Sequence, residues 1–322
     1  RLGANEAPPA IISIYLGDQV GDVVNQIIKN GKATSSLHSG VIDFGINKLP
    51  VLEKDPTDRN RTSPFAFTGN RFEFRMVASS NSIGDTNTVL SAMMAEAFAD
   101  AIDALTGAED LDKAVEEYTV KLMREHERII FNGNGYTDEW VEEAEKRGLF
   151  NLKSTPEALP QFIAEKNVDL FLKHHIFTKE EIHSRYEILL ENYVKTIQLE
   201  SKTMQEMLSK DFLPAVSRFA GEVSKSVLDK KALLPSIKAE KELALVESLT
   251  AAYETLSEGN DKLKALTEEV SSMESMQKAA TFCHDEVLAL MDELRVVADE
   301  AETRIPEKEL PYPTYDQLLF SV

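Results

Sequence analysis

The sequence predicts an α+β fold in which an antiparallel sheet with helices is followed by an all-α helical bundle. Residues 71–76 predict the sheet, because charged and apolar side chains alternate there with the two-residue period of a half-buried strand. Long, glycine-poor segments after residue 178 predict the bundle, because their apolar residues recur at steps of three, four and seven. We therefore expect an N-terminal α+β part and a C-terminal helical part.

The first part of the chain is predicted to contain short strands and two helices. Residues 11–16 are apolar and mostly β-branched, which predicts a buried strand. Residues 20–28 carry apolar side chains at helical spacing, and Gly31 is placed to end that helix. Residues 32–59 are rich in turn residues and predict a loop with short strands. Residues 89–105 carry the apolar stripe of a further helix, and we interpret its methionines, Met93 and Met94, as core residues rather than cofactor contacts.

The remainder is predicted to be helical. Residues 110–128 predict a helix that ends before a tight turn at residues 132–135. Three longer helices follow, with apolar seams typical of antiparallel helices that pack as a bundle or helical hairpin. We expect Pro214 to kink or break the first of them, Pro306 to stop the last, and residues 309–322 to form an extended tail.

Charge and cysteine content limit the classes of partner and compartment. A net charge of −20 argues against nucleic acid or an anionic membrane as the partner. The single cysteine excludes an internal disulfide framework and fits a reducing compartment, and no apolar run approaches the ~20 residues of a membrane span. The first residue is arginine, so we expect the natural polypeptide to begin upstream, and we expect it to be cytoplasmic.

Three charged side chains of the alternating segment are predicted to share one strand face. Along the strand, Glu73 would lie about 6.5–7 Å from Arg71 and from Arg75. The three head groups could therefore converge on one ligand. A carboxylate between two guanidinium groups suits a metal held beside phosphate or carboxylate oxygens. Arg61 could supply a third cation. The alternative interpretation is a solvated strand face with a surface salt bridge.

Other candidate residues favour structural roles. His174, His175 and His183 have no carboxylate or thiol partner at a compelling ligand spacing. Cys283 lies on an apolar seam, so we interpret it as a small core residue rather than as half of a catalytic pair with His284. The sequence lacks the phosphate-binding pattern GxxxxGK[ST], so ATP, if it binds, is not held by a P-loop.

Several motifs taken together resemble a known family. Residues 1–10 read RLGANEAPPA, residues 60–76 read NRTSPFAFTGNRFEFRM, and residues 85–94 read DTNTVLSAMM. In this order they resemble the C-terminal half of a glutamine synthetase catalytic domain, in nearly the wording of the type III branch. The resemblance continues through the tail, where residues 311–315 read PYPTY, and it covers the whole chain.

The resemblance implies an ATP-dependent ligase that joins ammonia to L-glutamate through γ-glutamyl phosphate, with Mg²⁺ or Mn²⁺ as the divalent metal. By position, Glu73 matches the family's metal-ligand glutamate. Arg75 matches an arginine on the substrate side, and Arg1 is assigned to the substrate as well. Arg71 matches an arginine near the nucleotide phosphates.

Two further residues are assigned to catalysis by the resemblance. Arg61 matches the arginine on the transferred phosphate, which gives it a catalytic and an ATP-binding role. Glu6 matches the glutamate of a mobile loop and is the expected catalytic base. In the family, the remaining metal ligands and the adenine contacts lie in an upstream half. The family's active sites form between subunits of a ring-shaped homo-oligomer, which we expect to be a dodecamer. The isolated chain is therefore expected to be inactive.

The same comparison predicts the domain organisation and leaves two alternatives. The four expected parts are residues 1–108 as the C-terminal half of the catalytic domain, 109–169 as a helical connector, 170–308 as a long-helix bundle and 309–322 as the tail. One alternative is a related ligase that joins glutamate to another amine. The other is a non-enzymatic assembly protein whose function resides in the helical bundle.

Overall fold

The computed structural model describes residues 9–37, 41–42, 52–53, 63–77 and 82–320. The chain divides into two compact units between His183 and Ser184. The first unit contains, in order, β1 (Ile14–Tyr15), α1 (Gly17–Asn30), β2 (Val41–Ile42), β3 (Leu52–Glu53), β4 (Phe65–Phe67), β5 (Phe72–Phe74), α2 (Gly84–Leu105), α3 (Leu111–Glu125), α4 (Asp138–Lys146), α5 (Thr155–Ala158), α6 (Glu165–Lys173) and the start of α7 (Lys179–Met207). The second contains the rest of α7 and α8 (Leu213–Leu233), α9 (Glu240–Ser271), α10 (Met276–Phe282), α11 (Ala289–Glu302) and α12 (Tyr315–Phe320). The four-part division of the sequence remains a prediction.

A three-stranded sheet with the order β1–β4–β5 lies in the first unit. β5 runs antiparallel to β4, whereas β1 runs parallel to β4 with Ile14 opposite Phe65. The expectation of a purely antiparallel sheet is therefore wrong, because the long connection from β1 to β4 includes a helix and permits parallel pairing. A separate antiparallel pair is formed by β2 and β3.

The predicted strand and helix near the N-terminus are present, and the strand is shorter than residues 11–16. α1 ends at Gly31, whose φ of 79° is the left-handed conformation that glycine adopts most readily. The start of α1 is held from outside, since the side-chain Oδ1 of Asn132 accepts hydrogen bonds from Leu16 N at 2.9 Å and Gly17 N at 3.2 Å. The segment after α3 also joins the sheet through a bridge between Ile14 and Ile130.

The apolar stripe of α2 is largely exposed. Val89, Met93, Met94, Phe98 and Ile102 are all exposed. The expectation that Met93 and Met94 are core is therefore wrong for the part of the chain that the structure describes. Instead, α2 packs against α3 and α6, and its buried Ala92 joins a cluster with side chains of α6.

The helices of the second unit follow the predicted seams closely in α9 and less closely in α7. Buried residues recur every seventh position along α9, and α8 and α11 pack against this helix; the four residues are Leu249, Leu256, Leu263 and Val270. In α7 the buried positions include Leu190 and Val194, whereas the adjacent apolar residue Leu189 is exposed.

The predictions for Pro214 and for the C-terminal tail have different outcomes. Regular helix is interrupted by a π-helical segment, Leu208–Phe212, and α8 then begins with Pro214 in its first turn, where a missing N–H costs little. The predicted interruption is therefore present. The tail is not extended throughout, because Tyr315–Phe320 forms α12. Thr314 N donates to Gln317 Oε1 at 3.0 Å, a capping contact that starts this helix.

Two helical glycines provide a matched test of packing in the second unit. A Cβ at Gly259 would lie 2.2 Å from Cδ2 of the buried Leu294, whereas a Cβ at Gly221 would meet nothing within 4 Å. Gly221→Ala should stabilise the protein by about 0.5–1 kcal/mol through helix propensity. Gly259→Ala should destabilise it by about 1–2 kcal/mol, because overpacking outweighs that gain. Urea unfolding measures both; equal stabilisation by the two substitutions would contradict the α9–α11 packing.

Candidate functional site

The candidate site lies on the hairpin formed by β4 and β5. Thr68 N donates to Arg71 O at 2.8 Å across the turn, and Gly69 takes a φ of 93° that favours glycine. The register pairs Ala66 with Glu73, so these two side chains share one face of the sheet. The phenylalanine rings lie on the other face in mutual contact, at centroid distances of 5.3–5.9 Å.

Both oxygens of the Glu73 carboxylate accept hydrogen bonds from arginine. Arg71 donates from Nε and Nη2 to Oε1 at 3.2 and 3.1 Å, and Arg75 donates from Nε and Nη2 to Oε2 at 3.3 and 3.1 Å. Thr68 Oγ1 donates to Oε1 at 3.5 Å. The structure thus brings together the three charged residues of this strand face, and it adds Thr68, which the alternating pattern alone does not indicate.

The two arginines hold the carboxylate in its ionised form. Hydrogen bonds from Arg71, and then from Arg75, lower the pKa of Glu73 below its ordinary value, and the two positive charges act in the same direction. The arginines differ in exposure, since the Arg71 side chain is 71% exposed and that of Arg75 only 22%. Arg71 is therefore the cation that solvent reaches more readily, and Arg75 is held more firmly against the sheet.

A divalent metal would find one suitable ligand on this face. A carboxylate is the oxygen ligand that Mg²⁺ and Mn²⁺ prefer, but both oxygens of Glu73 are paired with guanidinium groups. Within the described ranges, no group of three or more His, Cys, Asp or Glu side chains could hold a metal ion. Glu73 therefore fits as a single ligand, and the described residues do not form a complete metal site.

The other three residues assigned from the sequence are outside the described part of the chain. Arg1 and Glu6 belong to the N-terminal segment, and Arg61 precedes residue 63, where the described segment that contains β4 begins. Their predicted roles remain predictions.

His174 has a structural contact, and Cys283 is buried. His174 Nε2 lies 2.7 Å from Glu96 Oε2, and Lys173 Nζ donates to Glu96 Oε1 at 2.8 Å. This partner of His174 escapes sequence reasoning because α2 and α6 are far apart in the chain. Cys283 is fully buried, as predicted, and burial raises the pKa of its thiol to about 11, so it is inert at neutral pH.

Comparison with known proteins identifies the proteins to which this chain is similar. Residues 114–231 match the family described as the glutamine synthetase C-terminal domain. Across the whole chain the sequence is 44% identical over 325 residues to a glutamine synthetase of Butyrivibrio fibrisolvens. It is 32% identical over 341 residues to a glutamine synthetase of Bacteroides fragilis. Along its whole length the chain is therefore similar to a C-terminal part of glutamine synthetases.

The match extends to the branch that the motifs indicate. The chain is 38% identical over 330 residues, 99% of its length, to the type-3 glutamine synthetase of Dictyostelium discoideum. The resemblance to the C-terminal part of the type III branch is thereby confirmed. The chain spans 44–46% of the length of these three relatives, which is less than half of each. Among the described residues, no helix is long and apolar enough to cross a bilayer.

The arginine pairs around Glu73 can be tested by titration. Replacing Arg71 with glutamine should raise the pKa of Glu73 toward its ordinary value, and Arg75→Gln should raise it as well, because each substitution removes two donors and one positive charge. The double substitution should raise it further. Carbon-detected NMR of the Glu73 carboxyl group across an acid titration measures the pKa. An unchanged value in the double variant would contradict the observed contacts.

Proposed function

We propose that this chain is part of an ATP-dependent ligase that joins ammonia to L-glutamate and gives L-glutamine, ADP and phosphate. The observation that carries the proposal is the strand face on which Glu73 lies between Arg71 and Arg75, in a chain similar to a C-terminal part of glutamine synthetases. A reaction between two anions, a nucleotide and a carboxylate, requires cations close to the reacting oxygens, and this face supplies two.

The reaction has two steps. The γ-carboxylate of glutamate attacks the terminal phosphorus of ATP, so that ADP leaves and γ-glutamyl phosphate forms. Ammonia then attacks the acyl carbon, phosphate leaves, and the nitrogen gives up a proton as the amide forms. A bound Mg²⁺ or Mn²⁺ would neutralise phosphate charge during the first step.

We assign roles to the residues of this chain as follows. Glu73 is the metal ligand, and it can take that role once a metal replaces at least one of its arginine contacts. The more exposed Arg71 binds the nucleotide phosphates, and the more firmly held Arg75 orients the substrate carboxylate.

The residues outside the described part complete the assignment. Arg61 stabilises the transferred phosphate and contributes to ATP binding, and Arg1 binds the substrate. Glu6 is the catalytic base, which attracts ammonium, accepts its proton and excludes water from the acyl phosphate. We further propose that the protein is cytoplasmic and that residues 170–308 form a helical domain serving a ring-shaped homo-oligomer. Light scattering that found only monomers would contradict the assembly.

One alternative is favoured by the same observation, because a ligase that joins glutamate to another amine would use the same strand face. The full-length protein, incubated with ATP, glutamate and either ammonium or a panel of primary amines, separates the two by the mass of the product. Glutamine formed in preference supports the proposal. A γ-glutamyl amide formed in preference would assign the alternative, and no ATP-dependent product would indicate the helical assembly protein.

Glu73→Gln in the full-length protein should lower the ligation rate by about 10²-fold and raise the Mg²⁺ concentration needed for half-maximal activity. The substitution keeps the size of the side chain and removes the charge. Glu143→Gln is a matched control, because Glu143 also pairs with an arginine, Arg147, at 2.8 Å but lies on α4. A magnesium titration curve for Glu73→Gln that coincides with that of Glu143→Gln would remove Glu73 from the metal site.

Glu6→Ala should leave ATP binding unchanged and lower amide synthesis by roughly 10²–10⁴-fold, the range expected when a general base is lost. The acyl phosphate would still form, and it would then be hydrolysed by water or cyclise. Phosphate release and glutamine formation, measured together, should therefore become uncoupled, with Glu6→Asp showing a smaller loss. Glutamine made by Glu6→Ala at the normal rate and with normal ammonium dependence would exclude Glu6 as the base.

A further inference from the structure

The first unit contains a cavity, called the Arg124 cavity below, that is separate from the Glu73 strand face. It has a volume of about 640 Å³ and lies where α1, the end of α3 and the segment after α3 come together. Its lining includes Ile28, Arg124, Glu125, Glu127, Arg128 and Phe131. None of its lining residues belongs to β4 or β5, and the proposed ligation does not use it.

Four charged residues of this cavity form no ion pair with any residue that the structure describes. They are Arg124, Glu125, Glu127 and Arg128, two of each sign. Arg124 is nevertheless fixed in place, because its Nε donates to Ile28 O at 2.9 Å. That contact leaves the two terminal nitrogens of its guanidinium without a described partner, and these are the atoms that bind a carboxylate in forked geometry.

A third arginine that lines the cavity forms its hydrogen bonds within the protein. Arg147 donates to Glu143 Oε1 at 2.8 Å and to Ile130 O at 2.9 Å. Its guanidinium also lies 5.4 Å from the ring centroid of Trp140. Arg147 therefore shapes the wall of the cavity, and the cations available to a ligand are Arg124 and Arg128.

One wall of the cavity is apolar and rigid. Ile28, Ile130 and Phe131 contribute to it, and all three are partly buried. The Phe131 ring stacks on Trp140 with a centroid distance of 3.7 Å and an interplanar angle of 10°. Because Phe131 N also donates to Ile14 O at 2.9 Å, the wall is anchored to strand β1.

We propose that this cavity binds a free α-amino acid with an apolar side chain. The ligand carboxylate would pair with Arg124 and Arg128, its ammonium group with Glu125 and Glu127, and its side chain with the Phe131 wall. A polyphosphate would be repelled by the two carboxylates, and a simple anion or cation would leave one pair of charges unmatched. The zwitterion is the ligand class that satisfies both signs of charge in the lining of one cavity.

Calorimetric titration of the full-length protein tests the proposal with three related probes. L-Leucine carries both charged groups, 4-methylpentanoate lacks the ammonium group, and 3-methylbutylamine lacks the carboxylate. L-Leucine should bind, and each analogue should bind at least about tenfold more weakly, as expected when one charge-assisted contact is lost.

Substitutions then locate the binding. Arg128→Ala and Glu127→Gln should each weaken leucine binding by about tenfold or more, and neither side chain has a described partner whose loss would unfold the protein. Lys146→Ala, an exposed charge on α4 outside the cavity, should have no effect. Glu73→Gln should also leave leucine binding unchanged, which separates this cavity from the ligation site.

Three results would overturn the proposal. The first is an absence of leucine binding to the unsubstituted protein, which would make the four charges ordinary solvated side chains. The second is equal affinity for leucine and either analogue. The third is that Arg128→Ala and Glu127→Gln bind leucine as tightly as Lys146→Ala does. Circular dichroism checks that all variants are folded.

Discussion

The register of the β4–β5 hairpin determines which side chains this sheet presents for chemistry. Ala66 lies opposite Glu73, so the charged face carries one small buried residue beside the carboxylate, while the phenylalanines occupy the opposite face. A shift of one residue in β5 would turn Arg71, Glu73 and Arg75 together toward the aromatic face of β4, and would turn the rings of β5 away from it. Contact among the rings of β4 and β5 therefore favours the observed register.

The hairpin in turn depends on its neighbours for position. β1 pairs in parallel with β4, and Ile14 also bridges to Ile130 beyond α3. Asn132 then holds the start of α1 through its side chain. Residues from three distant stretches of sequence thus meet at one small sheet. Through this sheet, the strand that carries Glu73 is connected to the wall of the Arg124 cavity.

Local pattern predicts the elements of this chain well and their surroundings less well. The alternation at residues 71–76 identifies the charged face, and the seven-residue spacing in α9 identifies its buried seam. Both signals come from neighbouring residues. The parallel pairing of β1, the exposed stripe of α2 and the contact of His174 with Glu96 depend on segments far apart in sequence, which periodicity cannot report. α12 is a different case, because its Thr314–Gln317 cap is visible in the sequence.

The central claim is that the cationic face around Glu73 serves transfer of a phosphoryl group to a carboxylate. Glutamate labelled with ¹⁸O in its γ-carboxylate tests this most directly when the full-length protein turns over with ATP and ammonium. If γ-glutamyl phosphate forms, one labelled oxygen leaves with the phosphate, and mass spectrometry should find ¹⁸O in inorganic phosphate in step with glutamine. Glutamine produced while the phosphate remains unlabelled would contradict the account.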